Sequence, residues 1–160
     1  MPYDRSCPNP GPRADRRGMD TLDPALRCAL AIARYQFQSF AMPELESWSR
    51  ALPHADRLFG RDAAPGLVCA VQRAVHAMRC ARKSVFRFSN PDCGRCAARI
   101  TGHERLLMNT LRSILADRPS DAEAHAMILC EGNDTRVLID EMRALAQVIR
   151  RLDRAPAAGA

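Results

Sequence analysis

Leu26, Leu30, Ala33, Phe37 and Phe40 recur at intervals of four, three, four and three residues, the signature of one face of an α-helix. No stretch of comparable length alternates apolar and polar residues as a half-buried strand would. Aromatic residues make up 5% of the chain, so Leu, Ile, Val, Met and Ala must fill the core. That mix suits helices better than sheets. With 160 residues the chain fits one domain.

Punctuation divides the rest. Asp23-Pro24 opens the first helix with an N-cap acceptor and a proline at the first helical position. Met42-Pro43 ends or bends it. Residues 44–52 predict a short helix around Trp48, interrupted by Pro53, and residues 54–59 a further turn stopped by Gly60. A helix follows over 64–83, with Leu67, Val71, Ala74, Val75 and Met78 on its core face. Cys69, Arg73, His76 and Cys80 form a second stripe, about 180° around the helix from Val71. Residues 84–100, SVFRFSNPDCGRCAARI, lose the helical period. They read as a long loop, with Val85–Phe88 as a short extended piece; loops of this length usually serve a function or are disordered. Thr101-Gly-His-Glu104 is a capping box opening a helix on Leu107, Leu111 and Ile114. Pro119 separates it from a short helix to about Glu131, for which Ser120-Asp-Ala-Glu123 is a second capping box. Gly132-Asn133-Asp134 is a turn before a last helix on Leu138, Met142, Leu145, Ile149 and Leu152.

The expected fold class is therefore all-α: an irregular bundle of five to six short helices with one long Cys-containing loop. Residues 21–154 form the single helical domain, 1–20 a disordered tail and 155–160 a frayed C-terminus. No internal repeat and no sustained heptad is present. No run approaches the roughly 18 apolar residues of a membrane span, and the first residues contain no apolar core of a secretory signal. A cytoplasmic location with no membrane association is the expectation, and there seven cysteines are buried, metal-bound or redox-active rather than disulfide-bonded.

The formal charge is +6, carried almost wholly by arginine, since Lys83 is the only lysine. Its distribution matters more than its size. Residues 71–105 hold eight bases against Asp92 and Glu104, which is the entire excess. The positive field is thus local and surrounds the cysteine loop.

Within that loop, Cys93-Gly-Arg-Cys96 can turn two thiolates onto one ion. His76 and Cys80 stand one helical turn apart just before it, giving His-x3-Cys-x12-Cys-x2-Cys. That spacing predicts a closed, tetrahedral structural Zn2+ site on His76, Cys80, Cys93 and Cys96, with Cys130 and His103 as alternative ligands. The plain alternative is that these cysteines are small buried apolar side chains. Thiol-redox or metal-dependent catalysis on Cys93 and Cys96 is a further reading, although redox motifs of this kind accompany βαβ units. Arg87, Arg95 and Arg99, interleaved with Phe86 and Phe88, suit an acidic protein surface or a nucleic acid, with phosphates on the arginines and bases on the rings. The competing view has Phe86 and Phe88 pinning the loop to the core. No His-Glu-x-x-His, calcium loop, phosphate-cradling glycine loop or nucleophile elbow occurs. A non-enzymatic binding or regulatory module is the leading expectation, and oligomeric state is left open.

Phe88–Met108 and Leu129–Thr135 resemble small helical proteins of GC-rich bacteria that share an Asn-Pro-x-Cys-x-x-Cys stretch leading into Thr-x-x-Glu-Arg. The resemblance covers under a quarter of the chain. It singles out Cys93, Cys96, Thr101, Glu104 and Arg105 and implies no activity.

Overall fold

The computed structural model describes residues 18–154. Residues 1–17 of the tail expected over 1–20, and the C-terminus expected over 155–160, lie outside them. Among the described residues every regular element is helical: α1 (Pro24–Ala41), α2 (Ala51–Phe59), α3 (Ala64–Ala81), α4 (Gly94–Ala97), α5 (Gly102–Leu115), α6 (Pro119–Leu129) and α7 (Arg136–Arg154), with three short 3-10 turns at Met19–Thr21, Pro43–Leu45 and Ser47–Arg50.

The count of seven, against the five or six expected, comes from α4, one helical turn that the long loop closes. Pro53 does not interrupt α2. It is the third residue of that helix, where the backbone N–H has no intrahelical partner to lose. Pro119 likewise starts α6 instead of separating it from α5. The capping box read at Ser120 is therefore not formed: Arg118 occupies the N-cap and supplies no side-chain acceptor.

Two predicted caps are in place. Asp23 Oδ1 accepts from Leu26 N–H at 2.9 Å. Thr101 and Glu104 make both bonds of the capping box, at 3.1 and 2.7 Å. Gly60 ends α2 with φ 79°, the left-handed conformation glycine adopts without a Cβ penalty.

The helices pack as two groups. α2 sits against α1 and α3, and α5 packs on α6 and α7. The two groups meet directly, α3 on α7. The joint core draws on Leu26, Leu30, Leu67, Met78, Leu111 and Met142, all buried. Alanines on the contact faces (Ala29, Ala33, Ala74, Ala146) are buried as well and let the helices approach closely. Phe40, expected on the buried stripe of α1, is 50% exposed because that helix outruns the core there.

Gly18 to Asp20, which the sequence places in the tail, lie against the domain ahead of α1. Met19 N–H donates to the Ala98 carbonyl at 3.0 Å. A Cβ on Gly18 would meet that same carbonyl oxygen at 2.5 Å, which accounts for glycine at this crossing.

Candidate functional site

The loop between α3 and α5 is organised around two side chains that bury a charge each. Arg34 lies on α1 between Leu30 and Phe37 and is 2% exposed; Glu104 on α5 is fully buried. They meet as a fork, Arg34 Nε to Glu104 Oε1 at 2.7 Å and Nη2 to Oε2 at 3.1 Å. The remaining guanidinium donors reach loop carbonyls, Nη1 to Ala97 at 2.7 Å and Nη2 to Arg99. The carboxylate in turn accepts from the Ser89 N–H at 3.0 Å and the Thr101 N–H at 2.7 Å. One ion pair thus bonds four backbone groups between residues 89 and 101 and ties that segment to α1 and α5.

Phe86 and Phe88 anchor the preceding segment. Phe86 is 9% exposed and stacked on Phe37, with ring centroids 4.2 Å apart. Phe88 lies 5.7 Å from the same ring. Phe86 is buried and Phe88 half-buried, so both rings are packed on Phe37, as the reading that they pin the loop to the core expects. Between them and α3, Val85 is 84% exposed.

A second set of bonds fixes the start of the loop to the end of α6. Arg82 donates to the Leu129 carbonyl at 2.5 Å and pairs with Glu131 at 3.2 Å. Glu131 has φ 59°, a conformation costly for a residue with a Cβ. Its carboxylate accepts from the Ser84 hydroxyl and from the Ser84 and Lys83 N–H groups at 3.1 and 3.0 Å. Those bonds, the Ser84 hydroxyl foremost, hold its carboxyl down to about 2 from an ordinary 4.5. His103 Nδ1 accepts from Arg87 N–H at 2.9 Å. A neutral ring then carries its proton on Nε2, and the Arg82 nitrogen 3.3 Å away is a contact between donors. Burial, then Arg82 and Arg87, lowers the His103 pKa.

These shifts set an acid dependence. Both groups take up protons more readily in the unfolded chain, so stability rises with pH through their ranges. The His103 contribution is whole above its ordinary 6.5 and is lost as pH falls below it. The Glu131 contribution is whole above 4.5 and is lost as pH falls from there toward about 2. The expected outcome is a urea midpoint that declines in two stages on acidification. In Glu131→Gln the second stage shrinks; an unchanged profile would refute the assignment.

The predicted metal ligands do not converge. Cys93 caps α4, its sulfur accepting from Cys96 N–H at 3.4 Å. His76 and Cys80 are exposed on α3, with Nε2 and Sγ 3.6 Å apart. Cys130 is buried, and burial raises its thiol pKa. His103 spends Nδ1 on the loop backbone. Among the described residues no three of His, Cys, Asp and Glu assemble into a group that could hold a metal ion. The inverted-finger spacing thus becomes two separate pairs.

A cleft of about 950 Å³ lies where α3 faces the turn before α7 and the start of that helix. Phe40, His76, Arg79, Cys80, Lys83 and Val137 are among its lining residues. A second cleft of about 390 Å³ adjoins it and shares Phe40, Arg79 and Lys83, with Val85 on its wall. The Arg79 guanidinium lies 3.6 Å over the Phe40 ring. Arg73, also in the first cleft, forks onto Glu141 with two bonds of 2.8 Å. The sequence pointed to the loop arginines and missed this face because its parts come from α1, α3, the loop and α7. The signal was the Cys69–Arg73–His76–Cys80 stripe, which the core does not use.

No helix among the described residues is long and apolar enough to cross a membrane. Comparison with known protein families, with curated proteins and with solved structures finds nothing that matches this chain.

Proposed function

We propose that the chain is a non-enzymatic helical binding module that docks an acidic protein segment on the face centred on Arg79 and Lys83. The observation that carries this reading is the pair of adjoining clefts divided by Phe40, Arg79 and Lys83. Phe40, Val85 and Val137 are exposed around those cations. Apolar contacts beside an unneutralised positive charge suit a partner helix with an apolar stripe and acidic flanks.

The charge that faces outward supports the same reading. Arg73 is neutralised by Glu141 and Arg82 by Glu131. Among the described residues Arg79, Lys83, Arg87, Arg95 and Arg99 form no ion pair. Arg87 and Arg95 are exposed and extend the basic surface of the loop. Phe86 and Phe88, being packed on Phe37, support that surface from beneath.

The test is fluorescence anisotropy with two probes, a Glu/Leu-patterned amphipathic peptide and a DNA duplex. The peptide is expected to bind, and the Arg79→Glu/Lys83→Glu variant to weaken it by at least about tenfold through charge reversal. Phe40→Ala should weaken it as well. Peptide affinity indifferent to these changes would refute the proposal. Duplex binding that falls steeply with salt, in the absence of peptide binding, would replace it with a phosphate-driven interface.

A further inference from the structure

We propose that His76 and Cys80 form a chelate for a thiophilic, tetrahedral divalent ion of the zinc class, separate from the Cys93-x-x-Cys96 turn. The argument is geometric. In a tetrahedral site a thiolate at about 2.3 Å and an imidazole nitrogen at about 2.0–2.1 Å from the metal stand about 3.5 Å apart. The His76 Nε2 and Cys80 Sγ atoms are 3.6 Å apart. The spacing needed to share one ion is already present.

The scaffold holds that spacing. Both residues lie on one face of α3, separated by one turn, where i and i+4 side chains meet. The opposite face of α3 is locked into the core by Val71, Val75 and Met78. The helix cannot rotate the pair out of register without exposing these side chains.

The surroundings make the site open. No third His, Cys, Asp or Glu joins the pair among the described residues. The pair lines the cleft of about 950 Å³, which leaves room for water or a donor atom of a bound molecule at the remaining coordination positions. Such a site is the opposite of a closed structural finger and binds reversibly. The ion replaces the thiol proton of Cys80, which passes to solvent, while the lone pair of His76 Nε2 fills a second position. No electron is transferred. Arg79 and Lys83 line the same cleft and oppose a dication, so the thiolate charge is what makes a soft metal acceptable.

The experiment is a Co2+ titration of the reduced full chain carrying Cys93→Ser and Cys96→Ser. A thiolate-to-cobalt charge-transfer band with visible bands of tetrahedral intensity is expected, accompanied by proton release. Adding Cys80→Ser should abolish the charge-transfer band, and adding His76→Ala should weaken binding by about 10–100-fold or more. Both side chains are exposed, so far-ultraviolet circular dichroism should stay unchanged. The proposal is overturned if the band survives Cys80→Ser, if Cys69→Ser abolishes it in its place, or if no thiolate band forms. The chelate forms on the isolated chain, so its failure leaves the acidic-partner reading intact, and the peptide experiment is read without metal.

Discussion

Replacing Glu104 with alanine is expected to remove about 3–5 kcal/mol of folding stability, the cost of leaving one member of a buried ion pair without its partner. For a domain of this size that is a large share of the roughly 5–15 kcal/mol total. The carboxylate is fully buried and serves four donors, two on Arg34 and the backbone N–H groups of Ser89 and Thr101. Its removal strands a guanidinium and two backbone donors together. Arg34→Met should be similarly severe, since it strands the carboxylate and frees the Ala97 carbonyl, the Arg99 carbonyl keeping only its bond from the Ser89 hydroxyl. The informative variant is the double, Arg34→Met with Glu104→Leu. Where an ion pair stands alone, apolar replacement of both partners can be neutral. Here the loop backbone would still lack its partners, at about 1–3 kcal/mol for each buried group left unsatisfied. The double variant should therefore stay destabilised, yet by much less than the sum of the singles, because each single removes the same interaction. Urea denaturation checks all three. A Glu104→Ala shift below about 1 kcal/mol, the scale of an exposed pair, would show that the pair does not organise the loop.

The sequence made one half of this pair legible and hid the other. Thr101-x-x-Glu104 announces a capping box, and the cap forms. The second duty of Glu104, toward Arg34, requires α1 and α5 to be side by side, which no local pattern specifies. Arg34 nevertheless carries a signal. It is four residues after Leu30 and three before Phe37, so it falls on the apolar stripe itself. An arginine there must find an acid or a set of carbonyls inside the protein. Gln38, one turn further on, repeats the point: it is buried and bonds Asp92 and Arg50. The helices were readable because their apolar spacing and caps are local. Pro53 and Pro119 misled because the first turn of a helix tolerates proline, and the residues around them do not reveal where that turn begins. The four residues of the inverted-finger spacing do not assemble into one group among the described residues, for a related reason. Spacing in the sequence places ligands at tether distance, but the loop around the Cys93 turn is held through Ala97, Arg99, Ser89 and Thr101 by the Arg34–Glu104 pair, an arrangement no spacing announces.

The loop between α3 and α5 keeps its shape through rings as well as charges, and this yields the second large effect. Phe86→Ala is expected to destabilise by about 3–5 kcal/mol, the range for truncating a buried phenylalanine. The ring fills the space between Phe37, 4.2 Å away by centroid, and His103, 5.5 Å away. Its loss leaves a cavity beneath a segment whose neighbours, Lys83 and Arg87, carry the basic surface. Val85, the adjacent residue, points outward, and Val85→Ser should change stability by no more than about 0.5 kcal/mol. The two substitutions together separate support from contact. If the module docks its partner on the Arg79–Lys83 face, Val85→Ser weakens binding in a fully stable protein. Phe86→Ala weakens binding only as far as it releases the loop, seen as faster amide exchange at Ser89 and Thr101, whose N–H groups Glu104 holds. Were Phe86 instead a stacking platform for bases, its alanine variant would keep its stability and lose duplex affinity. The burial of that ring against Phe37 makes the opposite result the expected one.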